Sequence, residues 1–139
     1  MKRILQNALP FLLMLPLLFT SSSCSPDGDN ERTALASIVD ISYKIVVDRS
    51  VISKITYKDP TGQMIAANEQ YQSLLTWQKA QSVEMPFEAL MNVDFTGTAN
   101  TEVHYDLYIY LDGVQARHQE GVVPAEGSAS ISYGFSVTK

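Results

Sequence analysis

Cysteine is nearly missing from this chain, whose 139 residues hold one, Cys24, beside only two histidines. A single thiol excludes an internal disulfide framework and any zinc site built from several cysteines. Basic residues are also scarce, ten Lys+Arg against 15 Asp+Glu for a formal net charge of −5. That balance is unsuited to gripping phosphate backbones, so nucleic acid is not an expected partner. The chain has no Gly-x-Ser-x-Gly, no phosphate-cradling glycine loop and no His-Glu-x-x-His. Acyl transfer, phosphoryl transfer and zinc-peptidase chemistry each lack their minimal set. Nothing in the spacing of the acids singles out a glycosidase pair. The expectation is a non-catalytic protein with no cofactor and no metal site. An apolar run of the roughly 20 residues that a membrane-spanning helix needs is lacking as well.

The longest apolar stretch, residues 9–19, is broken by Pro10 and Pro16, follows the positive start Lys2-Arg3 and precedes the small residues Thr20 to Ser23. Charged start, short apolar core and small-residue end make residues 1–23 a secretory signal peptide. Cys24 comes next, and a lone cysteine directly after such a region resembles the lipobox of bacterial lipoproteins, with Ser21 where leucine is usual. The resemblance implies lipidation at Cys24 and a mature chain held to the membrane by that lipid. A plain secreted protein is the alternative. Serine-rich cleavage regions of this kind resemble those of Bacteroidetes lipoproteins, which implies a place in the cell envelope, at the outer membrane, with the periplasmic or surface face open.

Residues 24–34 continue as Ser25-Pro26-Asp27-Gly28-Asp29-Asn30-Glu31, too polar to bury apolar area and so a flexible tether. The stretch also resembles, loosely, the acidic signal that sends such lipoproteins to the cell surface. Its oxygen ligands lack the twelve-residue spacing of a calcium loop. Loss of residues 1–23 removes Lys2 and Arg3 and no acid, leaving eight basic against 15 acidic residues, a net −7 over 116 residues. A domain of that charge is repelled by anionic head groups, so the lipid must do the anchoring.

From Ile38 onward apolar residues recur at a spacing of two, the period of strands with one face in a core. Ile41, Tyr43, Ile45 and Val47 form one such set, and Ile55 and Tyr57 belong to the next. Asp59-Pro60-Thr61-Gly62 has the residue order of a type I turn, so a hairpin partner is expected over 63–67. Phe87 to Phe95 and Val103 to Leu111 alternate most cleanly, and a last strand runs from Ala129 to Val137. Residues 71–81 read as strand or short helix, with strand favoured by the neighbours. Residues 34–40 could be a helical turn leading into the first strand.

About seven short strands over residues 35–139 fit an all-β, antiparallel two-sheet sandwich of immunoglobulin-like type, with a small barrel as the runner-up. Asp112-Gly113 between Leu111 and Val114 is a two-residue hairpin signal. Regular pairing from that turn sets Ile109 opposite Ala116, Tyr108 opposite Arg117 and Leu107 opposite His118. His104 and His118 would then point to opposite faces, unable to share a metal. Tyr108, Tyr110 and Arg117 would share the outward face with Asp106 and Gln115, as an interaction surface or as ordinary surface residues with a Tyr108–Arg117 cation–π pair. Trp77 is either a core residue or a sugar-stacking one.

The runs Ile55-Thr56-Tyr57-Lys58-Asp59-Pro60-Thr61-Gly62-Gln63, then Trp77, Pro86-Phe87-Glu88-Ala89 and Leu107-Tyr108-Ile109-Tyr110-Leu111-Asp112-Gly113-Val114 resemble, in order and spacing, the MmpS family of mycobacterial membrane proteins. The resemblance covers residues 43–123. It implies a small sandwich assisting a transporter of the resistance-nodulation-division class. The family's transmembrane helix and cysteine pair have no counterpart here. Two functions follow as expectations: an envelope interaction or accessory module with a protein partner, or a surface lipoprotein binding a glycan or peptide.

Overall fold

The structure is a computed structural model and describes residues 36–138, apart from 69, 72, 98 and 99. The signal peptide, Cys24 and the acidic tether therefore lie outside the described residues. Eight strands form among the described residues: β1 (Ile38–Val47), β2 (Ile52–Lys58), β3 (Met64–Ala66), β4 (Thr76–Glu84), β5 (Phe87–Thr96), β6 (Val103–Leu111), β7 (Val114–Val123) and β8 (Ser128–Val137). They make two antiparallel sheets of four, ordered β4-β1-β6-β7 and β3-β2-β5-β8. The protein is a β-sandwich, as the period-two patterning predicts, with eight strands rather than seven.

An immunoglobulin domain sets strands A, B, E and D in one sheet and C, F and G in the other. By pairing order, β1, β2, β4, β5 and β8 take the places of B, C, E, F and G, with β3 beside C. The departure falls at strand A. Its place beside β1 is filled by β6, which arrives late in the chain as one arm of the β6–β7 hairpin. That hairpin is the part of the fold that carries the residues of interest.

Alternation explains the core. Ile41, Tyr43, Ile45 and Val47 of β1 are buried, as are Ala89, Met91, Val93 and Phe95 of β5 and Val103, Tyr105, Leu107 and Ile109 of β6. Full burial of one such aliphatic side chain stabilises by about 1.5–3 kcal/mol. Among the described residues no charged side chain is buried. Tyr43 ties the sheets together from inside: its hydroxyl donates to Lys58 O at 3.2 Å and accepts from Leu90 N at 3.3 Å. Phe95 and Tyr105 stack across the sandwich with centroids 4.9 Å apart.

The turn at Asp59 forms as its residues predict. Gly62 N donates to Asp59 O at 2.9 Å, and Gly62 takes the positive φ of 84° that its lack of a side chain permits. Residues 71–81 split, because strand pairing with β1 reaches back only to Thr76. Ahead of it, Leu74 N donates to Tyr71 O in a turn that leaves Leu74 and Leu75 exposed. Neither helical alternative is present in the described residues; β1 starts at Ile38.

Candidate functional site

The β6–β7 turn is the expected one, with Asp112 and Gly113 both at positive φ, 48° and 77°. Leu111 pairs with Val114 and Tyr110 with Gln115, after which the register shifts and Ile109 pairs with Arg117. Ala116 is the extra residue of a β-bulge on the edge strand. Since strand side chains alternate, one inserted residue moves everything beyond it to the other face. The regular-pairing expectation fails from this point: Tyr108 lies opposite His118, and Leu107 opposite Gln119.

Arg117 is thereby removed from the outward face. It turns inward at the sandwich margin, where its Nη1 donates to Gly134 O at 2.7 Å and its guanidinium lies 5.6 Å from the Tyr133 ring centroid. It bridges β7 to β8 of the other sheet. Tyr108 takes its cation from elsewhere, Lys44 Nζ standing 5.7 Å from its ring centroid. Trp77 is in the core, 3% exposed and 5.7 Å from Tyr57, so it belongs to no surface.

His118 arrives where Arg117 was expected, and its imidazole lies flat on Tyr108, with centroids 4.5 Å apart and planes 7° apart. Tyr110 extends the stack, 5.9 Å from Tyr108. His118 Nε2 is 2.7 Å from Asp106 Oδ1. Asp106 in turn pairs directly with Glu120 across the two strands. His104 shares this outward face, because β6 is regular between 104 and 110, and it lines a groove with Asp106 and Glu120. The two histidines thus share a face, against the expectation. Burial first, then the charge of Asp106, the neighbouring Tyr110 and the charge of Glu120 push the Tyr108 hydroxyl above its ordinary 10.0.

On the β1 side, Ser42, Lys44, Gln78 and Tyr110 line a second shallow recess ending at Gly113. Gln78 Nε2 donates to Ser42 Oγ at 3.0 Å. The result is a strip of three stacked rings crossing β6 and β7, with amide, hydroxyl and ammonium groups on one flank and two carboxylates on the other. Flat rings bordered by hydrogen-bonding groups can meet a sugar face, a peptide or a protein surface. Of the residues expected at this surface, Tyr108 and Tyr110 are there, Arg117 and Trp77 are not, and His118 was missed. No local signal marks the bulge, since Val114 to Val123 has no apolar period that a register could obey.

The class that fold and site define is a β-sandwich bearing an aromatic–histidine strip on the outer face of one sheet. No family model matches the chain, and no curated protein does. Among solved structures it aligns with the NMR structure of the calcium-bound form of a protein from Parabacteroides distasonis, 14% identical over 76% of this chain and 99% of that one, at a TM-score of 0.45.

Proposed function

We propose that the protein is a non-catalytic, lipid-anchored module of a bacterial envelope that docks on an envelope protein through the outer face of β1, β6 and β7. The observation that carries this reading is the Tyr110–Tyr108–His118 stack. Preordered rings lose little conformational entropy on binding and supply large contact area, which is why aromatic residues anchor interfaces. The lipobox resemblance at Cys24 supplies the anchor, and the resemblance to MmpS proteins makes a membrane transporter one candidate partner. A surface-displayed lipoprotein binding a glycan is the second reading, favoured by Ser42, Lys44 and Gln78 beside Tyr110.

Site-specific photo-cross-linking in cells tests the docking reading, with the probe at Tyr110 and, as a control, at Asn92 on the outer face of the other sheet. One dominant adduct from position 110 and none from position 92 is the expected result. Equal, diffuse labelling from both would overturn it. A glycan array that retains the parent protein and loses Tyr110→Ala would move the assignment to sugar capture. Protease shaving of intact cells then separates the compartments: rapid loss beside a protected periplasmic control places the domain outside the cell, and protection places it in the periplasm.

A further inference from the structure

We infer that Asp106, His118 and Glu120 form a binding site for a divalent transition-metal ion, in a groove that His104 also lines. This goes beyond the docking reading and does not depend on it. One imidazole nitrogen and one carboxylate oxygen from each acid all lie within 4.8 Å of one another. Ligands at the roughly 2.0–2.1 Å bond lengths of zinc sit about 3.4 Å apart in a tetrahedron. These side chains are part-exposed or exposed, so small rotations close the difference.

Three further features point to a cation. Asp106 and Glu120 are direct cross-strand partners, and like charges so placed repel. No described ion pair relieves Glu120, whereas Asp106 has only His118. A divalent ion between the carboxylates turns that repulsion into attraction. The His118 ring is held against Tyr108, which fixes the direction of Nε2 before anything binds. His104 lines the same groove as Asp106 and Glu120.

The donor set also selects the metal. Imidazole nitrogen suits zinc, nickel and copper, whereas calcium and magnesium take oxygen ligands. Binding takes the neutral imidazole with its proton on Nδ1, so that Nε2 gives up its hydrogen bond to Asp106 and presents its lone pair to the metal. The open sheet face leaves room for water or for an acidic group of a ligand to complete the shell.

The test uses the full chain in detergent, stripped of metal, with zinc titrated against a chromophoric chelator and His118 ring protons followed by NMR. One equivalent is expected, with shifts at His118, little competition from a hundredfold excess of calcium, and affinity lowered at least tenfold by His118→Ala and by the isosteric Glu120→Gln. His104→Ala should weaken binding less. The thermal melt of each apo variant controls for folding. Retained affinity in both His118→Ala and Glu120→Gln, no binding by the parent, or calcium competing on equal terms would each overturn the site.

Discussion

At the scale of single residues, the structure separates side chains that hold the sandwich from those that face outward. Arg117 belongs to the first group. Arg117→Ala should lower stability by about 1 kcal/mol in urea unfolding, the size of one hydrogen bond with an exposed cation–π contact, and should leave cross-linking from position 110 unchanged. Tyr43 is a sharper case, since burial pushes its hydroxyl up to about 12. The raised value means that the native state keeps a proton the unfolded chain releases near 10. Its contribution is therefore intact below pH 10 and is lost between pH 10 and about 12. Tyr43→Phe should cost about 1 kcal/mol at neutral pH and flatten the alkaline limb of a thermal-melt series. A variant with the parent's alkaline slope would show that Tyr43 does not carry it.

At the scale of elements, both tight turns form where their residues place them, and the strand that follows one of them does not run as expected. Asp59 Oδ1 accepts from Thr61 Oγ1 at 2.7 Å and from Thr61 N and Gln63 N at 2.9 Å. These bonds hold the Asp59 carboxyl below its ordinary 3.8. The turn is thus supported above that pH and loses the support as pH falls further, through the lower native value. Asp59→Asn should lower the melting temperature at pH 7 and shrink the difference from the parent at pH 2. The bulge in β7 makes a different prediction. Deleting Ala116 removes the extra residue and leaves Arg117 opposite Ile109 and His118 opposite Tyr108, so it should preserve the Tyr108–His118 ring-current shifts in NMR spectra; loss of those shifts would show that the bulge itself, and not the pairing beyond it, positions His118. Turn chemistry was legible because Pro, Gly and Asp act within four residues. The bulge was not, because it is decided by where Arg117 finds Gly134 O and Tyr133 on a strand distant in sequence.

At the scale of the whole molecule, the anchor and the domain make separate claims. Cys24→Ala should release the protein from membranes into the soluble fraction of fractionated cells, and a mutant that sediments as strongly as the parent would remove the lipid anchor from the account. The sequence by itself determined the all-β class, the inward rows of β1, β5 and β6, and both hairpin turns, because period-two alternation and turn stereochemistry are local properties of the chain. It also brought Tyr108 and Tyr110 to one outward face, since residues two apart on a strand share a side. Only the tertiary structure decided that β6 fills the place beside β1 and that Trp77 is buried against Tyr57. It alone decided that one bulge exchanges Arg117 for His118 beside Asp106 and Glu120. Those outcomes depend on which strands meet and in what register, and pairing across long sequence separations is settled by packing of the assembled sheets.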